Sequence, residues 1–175
     1  MTNNMLTALT AGSFSDPAWV RCLLTDFAEY YFDALQRYGA VPASAPAAWR
    51  VAHENAARAD LHAVQHLLLG VNAHINYDLV LAVAELLRDQ WFQLDDAQRG
   101  ARYADFCHVN VLIGQTINAV QATIVAPEDH TLEIVDTLLG GLDEWLISRL
   151  ITRWRDTVWQ RATELIECRV DQRQA

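Results

Sequence analysis

An all-α, single-domain bundle of five or six helices is the fold class that the sequence predicts. Apolar residues recur at helical spacing over long stretches, and no alternation of apolar and polar residues lasts long enough to indicate a sheet. The length of 175 residues suits one domain. With 52% hydrophobic residues, the chain is expected to bury a full core without disulfide or metal.

The first half of the chain carries clear helix signals. Residues 1–14 are expected to form a loose leader, followed by a single helical domain over 15–170. Asp16 followed by Pro17 is typical of a helix start and predicts a helix over 18–38. Ser44 is expected to cap a second helix over 47–57.

The remaining helices follow from apolar periodicity and from helix-breaking residues. A third helix is predicted over 60–89 and a fourth over 101–125, which ends before Pro127. A fifth is predicted over 132–139 and a sixth over 142–168.

Composition excludes several classes of function. All 13 basic residues are arginine, so enzymes and phosphate loops that need a lysine amine are excluded. The net charge of −9 repels phosphate backbones and anionic membrane surfaces, so neither nucleic acid nor membrane is an expected partner.

The expected location is cytoplasmic. The three cysteines lie far apart and suit free thiols in a reducing compartment. No secretion signal or bilayer-spanning segment is predicted. The sequence leaves open whether the protein forms a homodimer.

The most informative feature is a stripe of residues four positions apart. His62, His66, Gly70, His74 and Asp78 follow one another at this spacing. Four residues turn an α-helix through about 400°, so the stripe drifts only about 40° per step. Three imidazoles and a carboxylate therefore share one curving face of the third helix.

One interpretation makes this stripe an acid–base site. Asp78 would orient the His74 imidazole and stabilise its charged form, while His66 assists the catalysis. Asn72 and Asn76 would contact polar groups of the substrate. Such a site needs no cofactor, and none is expected.

A divalent metal is the alternative, because two ligands four residues apart on a helix can share an ion. The axis rises roughly 12 Å from His66 to His74, so one ion cannot reach the whole stripe. Asp105, with His108 beside it, is the best further ligand, which makes the metal set His66, His74, Asp78 and Asp105.

A purely structural interpretation also stands. Gly70 would end one helix and Asn72 would cap the next, while buried Asn76 and Asp78 would satisfy neighbouring helix ends.

Three residues outside the stripe are further substrate-binding candidates. Arg155 and Trp159 lie four apart on the last helix, where a cation–π or packing pair is the default and an anion clamp at Arg155 the alternative. Asn110 lies on the fourth helix, where it is placed to bridge to Asn76.

The string Leu68-Leu69-Gly70-Val71-Asn72-Ala73-His74-Ile75-Asn76-Tyr77-Asp78-Leu79 resembles the central motif, LLGxNAHINxDL, of a bacterial, all-helical family of unknown function. The resemblance extends to Asp105-Phe106, Val109-Asn110, Arg155, Trp159 and Ala162. It implies a shared constellation of polar residues: His66, Asn72, His74, Asn76, Asp78, Asp105 and Asn110. It implies no settled activity.

The function that these patterns favour is a cofactor-independent acid–base enzyme of the isomerase, lyase or cyclase type. Its substrate would be a hydrophobic small molecule, as in specialised metabolism. The alternatives are a metal-dependent hydrolase or oxygenase and a non-catalytic small-molecule binding protein.

Overall fold

The computed structural model confirms the all-α bundle. It describes residues 3–61, 63–125 and 144–174, with side chains at 5–61, 65–112 and 149–168. Every regular element in those ranges is helical and none is a strand. The fifth predicted helix, over 132–139, lies outside the described residues.

The expected loose leader is instead largely helical. Helix α1 spans Asn3–Thr10 and contacts the second and sixth helices described below. Met5 and Leu9 lie four positions apart and are buried, as is Phe14. This shared apolar face explains why the segment packs onto the bundle, because burying it removes apolar surface from water.

Helix α2 spans Pro17–Ala40 and begins as predicted. The Asp16 side chain caps it by accepting the Trp19 N–H at 2.9 Å, and Pro17 occupies the first turn. The helix continues one residue beyond Gly39. Its buried face includes Leu23 and Phe27.

Helix α3 spans Ala47–Asn55, close to the prediction, but its cap differs. Ser44 ends a short 3-10 turn, Pro42–Ser44, and its hydroxyl donates to the carbonyl oxygens of Val41 and Arg37. Ser44 therefore closes the preceding turn rather than capping α3.

The central helix is continuous and contains a π-helical turn. Helix α4 spans Ala63–Ala73, the π-helical turn His74–Leu79 follows directly, and helix α5 spans Val80–Arg88. Gly70 lies inside α4, so the break at Gly70 and the cap at Asn72 that the structural interpretation assumes are absent.

By length and hydropathy, the stretch Gln65–Arg88 of this central helix is apolar enough to cross a membrane, which the sequence-based expectation did not include. The core helix of a bundle meets the same criterion. This stretch packs against α2, α3 and the last helix, and 44% of its apolar window is buried.

Two long helices complete the described bundle. Helix α6 spans Asp96–Val125 and begins earlier than predicted, because Asp95 and Gln98 form a reciprocal capping box. Helix α7 spans Glu144–Gln174 and continues beyond the predicted end. The core between α2, α5, α6 and α7 is built on fully buried Val20, Leu23, Val83, Leu87, Phe106 and Val158.

Candidate functional site

His74 and Asp78 face each other across the π-helical turn. His74 Nδ1 lies 2.9 Å from Asp78 Oδ2, within hydrogen-bond distance. Asp78 is fully buried, whereas the His74 side chain is 33% exposed. The carboxylate is therefore enclosed in the core, whereas the imidazole reaches the surface.

A second helix contributes a donor to the same carboxylate. Trp49 on α3 donates its indole N–H to both Asp78 oxygens, at 3.0 Å each. Trp49 is itself buried. The Asp78 carboxylate thus accepts from two aromatic N–H groups, which stabilises a charge that burial alone would disfavour.

Aromatic rings surround the imidazole. Phe27 stacks on His74 with ring centroids 3.9 Å apart and an interplanar angle of 14°. Tyr31 meets the imidazole edge-on at 5.7 Å. With Trp49 at 6.1 Å, these rings restrict the imidazole to one orientation.

This arrangement selects a tautomer. A carboxylate accepts hydrogen bonds only, so the nitrogen facing it, Nδ1, carries the proton. The lone pair of neutral His74 is then on Nε2, the nitrogen on the opposite side of the ring from Asp78. Nε2 is therefore the ring nitrogen that can accept a proton.

His66 and Asp105 do not join this dyad into a metal site. Asp105 is buried and accepts the backbone N–H groups of Ser15 and Asp16, at 2.8 Å each. His66 Nδ1 is buried without a hydrogen-bond partner among the described residues. Nowhere in the described ranges do three or more His, Cys, Asp or Glu side chains converge as a metal would require. The structure does not assemble the alternative ligand set.

Asn72 and Asn76 lie on another face of the central helix. Asn76 donates to Asn72 Oδ1 and accepts from Arg161 on α7, both at 2.9 Å, and Asn72 is exposed. The predicted bridge from Asn110 to Asn76 is not among the hydrogen bonds of the described residues. Asn110 instead lines a small cavity beside Arg155.

Arg155 and Trp159 lie in different surroundings. Arg155 is 8% exposed, and burial lowers the pKa of its guanidinium to about 10. Trp159 packs against other aromatic rings: Trp19, Trp91, Tyr103 and Phe106. Among described residues, the guanidinium–ring contacts join Arg99 to Trp91 and Arg102 to Trp19, so a cation–π contact between Arg155 and Trp159 is not among them.

The comparisons with known proteins place the chain in a family without assigning it an activity. All of it, residues 1–175, matches a family described as a family of unknown function (DUF5995). The chain belongs to this family. The inferred membership of an uncharacterised family is therefore confirmed. No curated protein and no solved structure matches the chain.

Several side chains of this candidate site are not among the sequence-predicted residues. Trp49, Phe27 and Tyr31 come from α2 and α3, and nothing in their own segments marks them as partners of His74. His53 is a further one, since its ring lies 4.6 Å from Tyr38 and 5.5 Å from Trp49, with Nε2 buried and unpaired among the described residues. The only feature of the sequence that could have pointed to these side chains is the aromatic content of α2 and α3.

Proposed function

We propose that this protein is an acid–base enzyme in which His74 transfers a proton and Asp78 positions and stabilises it. One observation carries the proposal: a fully buried carboxylate holds Nδ1 of a histidine whose side chain remains one-third exposed. A histidine that served only as a hydrogen-bond donor to a buried carboxylate would not need an exposed side chain. π-helical turns also occur frequently at functional sites.

The proton transfer uses only groups of the chain. Nε2 of neutral His74 accepts a proton from a carbon acid or hydroxyl of the substrate, and the imidazolium forms next to the Asp78 carboxylate. Once the proton on Nε2 has exchanged with solvent, a solvent-derived proton returns to carbon, at the original atom or at a different one, and the latter completes an isomerisation; in an elimination or cyclisation it leaves with the departing group. Atoms and charge balance without a cofactor.

The surroundings of the imidazole favour an apolar substrate. The rings of Phe27 and Tyr31 pack against the His74 imidazole. Among the described residues, no arginine is in ring contact with His74. A hydrophobic small molecule is therefore the proposed substrate class.

Deuterium incorporation tests the chemistry before the substrate is known. The protein would be incubated in D₂O with a panel of alkyl ketones and enones and with the apolar fraction of a bacterial metabolite extract, followed by mass spectrometry. We expect protein-dependent incorporation of deuterium at carbon. His74→Gln should lower the rate by about 100-fold or more, and Asp78→Asn should lower it as well.

The matched control is His108→Gln, because His108 packs against Phe14 outside the dyad. This variant should retain the wild-type rate. Absence of incorporation with wild-type protein, or equal rates for His74→Gln and wild type, would overturn the proposal. Thermal midpoints of all variants separate loss of turnover from loss of folding.

The tautomer provides a second test. Long-range proton–nitrogen NMR of histidine-labelled protein should show His74 with its proton on Nδ1. In Asp78→Asn this preference should weaken, because the asparagine amide can donate a hydrogen bond to Nδ1 as well as accept one from it. A wild-type His74 with its proton on Nε2 would contradict the proposed base.

A further inference from the structure

Helix α3 has a single buried side chain, that of Trp49. The other residues of this helix, all of them described, are partly or fully exposed. Trp49 packs with Ala34 on α2 and Ala73 on α4 in a small apolar core that is separate from the main one. Because a buried tryptophan removes a large apolar area from water, the docking of α3 on the bundle depends largely on this residue.

The polar end of the same side chain binds the dyad. The Trp49 indole N–H donates to both oxygens of Asp78, at 3.0 Å each. His74 Nδ1 lies 2.9 Å from one of these oxygens, Oδ2. The indole ring also lies near the imidazole, with ring centroids 6.1 Å apart. Trp49 therefore meets both members of the dyad from outside the central helix.

Other polar side chains of α3 do not share this position. Arg50 donates to the carbonyl oxygen of Ala43 just before the helix, and Asn55 donates to that of Val51 within it. Both hydrogen bonds are local and do not depend on the docking of α3. The bond from Trp49 to Asp78, by contrast, joins α3 to the central helix.

The docking of α3 and the arrangement of the dyad are therefore linked. Asp78 is fully buried, and a buried carboxylate that loses a donor must find another or give up its charge. Undocking of α3 takes the Trp49 donor away, so the carboxylate no longer presents the same acceptor to His74 Nδ1. By thermodynamic reciprocity, an intact dyad also favours the docked helix.

We propose that Trp49 is the positioning residue of the dyad and that it couples the arrangement of His74 and Asp78 to the docking of α3. The dyad is complete only while α3 is docked, so α3 regulates the site. The coupling depends on the geometry alone, whereas its effect on proton transfer rests on the proposed function.

Hydrogen exchange of the full-length protein, followed by mass spectrometry, tests the coupling without a substrate. Trp49→Phe removes the indole N–H, and the α3 amides should exchange about tenfold faster or more, while those of α5 keep the wild-type rate. Asp78→Asn keeps the indole but replaces its charged acceptor, and should also speed exchange in α3. The double variant should exchange more slowly than the product of the two single effects predicts, because both changes act on one hydrogen bond.

The matched control is Trp91→Phe. Trp91 is also buried, and its indole N–H also donates to a carboxylate, that of Glu167, at 3.3 Å. This pair lies outside the dyad, so exchange in α3 should stay at the wild-type rate.

Two further measurements on Trp49→Phe distinguish positioning from a purely structural role. Long-range proton–nitrogen NMR should show a weaker preference of His74 for the proton on Nδ1. Deuterium incorporation should slow by about tenfold or more at saturating substrate, with little change in KM. If the wild type incorporates no deuterium, the proposed function fails, while the exchange and tautomer results still decide the coupling.

The wild type and Asp78→Asn decide the matter if Trp49→Phe does not fold. In the wild type, the Trp49 indole N–H should show the same protection from exchange as the most protected α3 amides, since one opening releases both. Any of three results would overturn the proposal: wild-type exchange in α3 of the variants, an unchanged His74 tautomer in Trp49→Phe, or an indole N–H that exchanges independently of α3.

Discussion

Asp78 holds together two helices at the candidate site, because its carboxylate accepts from Trp49 on α3 and from His74 on the central helix. Both hydrogen bonds are to a charged group in a buried position. Hydrogen bonds of this type contribute more than neutral ones, and leaving either donor unpaired has an additional cost. The residue is therefore expected to matter for stability as well as for proton transfer.

Asp78→Asn should lower the free energy of unfolding by about 1–3 kcal/mol, because the amide cannot accept from both N–H groups through two oxygens. Urea denaturation measures the loss. The matched control is Asp33→Asn, which removes an exposed ion pair with Arg37 and should cost less than about 1 kcal/mol. Equal losses for the two variants would mean that the buried network contributes little.

The lowered pKa of Asp16 predicts that the protein loses stability in acid. The Trp19 N–H and the Arg102 guanidinium hold the pKa of its carboxyl below the ordinary value of 3.8. A carboxyl whose pKa is depressed by folding stabilises the protein above 3.8, and this contribution is lost as the pH falls through the folded-state pKa. Asp16→Asn keeps the cap and removes the charge, so stability should fall less steeply below pH 3.8. An unchanged slope would contradict this assignment.

At the scale of the element, the π-helical turn is the backbone segment that carries the dyad. The turn His74–Leu79 contains one residue more than an α-helical turn, and both members of the dyad lie in it. Deleting Tyr77, which is 36% exposed, should restore α-helical pairing and move His74 and Asp78 to a spacing of three. We expect helical content to be retained by circular dichroism and deuterium incorporation to be lost. Retained incorporation would show that the π-helical turn is dispensable.

Helix α1 is the second element with a testable role. Leu9 is 7% exposed and Leu6 is 55% exposed on the same short helix. Leu9→Ala should lower the free energy of unfolding by about 2–4 kcal/mol, because it creates a cavity in the core. Leu6→Ala should change it by less than about 0.5 kcal/mol. Similar values for both in chemical denaturation would show that α1 does not pack as described.

At the scale of the whole molecule, Trp159 connects three parts of the bundle through aromatic contacts. Its ring meets Trp19 on α2, Phe106 on α6, and Trp91 in the segment that follows α5. Trp159→Phe should weaken the near-ultraviolet circular dichroism signal and lower stability by about 1–3 kcal/mol, because packed aromatic area is lost. Deuterium incorporation should persist, since this cluster is separate from His74. The control is Phe92→Leu, at an exposed ring, with little expected effect. Loss of deuterium incorporation in a folded Trp159→Phe variant would contradict this and show that Trp159 contributes to the candidate site.

Local features were accessible from the sequence. The helical class, the start of α2 at Asp16 and Pro17, and the pairing of His74 with Asp78 depend on residues within one turn of each other. Periodicity, caps and four-residue spacing report such contacts directly. The π-helical turn was not predicted, but it leaves the pair intact.

Long-range contacts required the tertiary structure. Trp49 reaches Asp78 from 29 positions away, and Asp105 accepts from the backbone just before α2, 89 and 90 positions away. The pairing of helix faces decides these contacts, and that pairing depends on the whole core. The same holds for Arg155, whose sequence neighbours predict an aromatic partner on its own helix. Packing of α2 and α6 instead leaves its guanidinium beside a cavity.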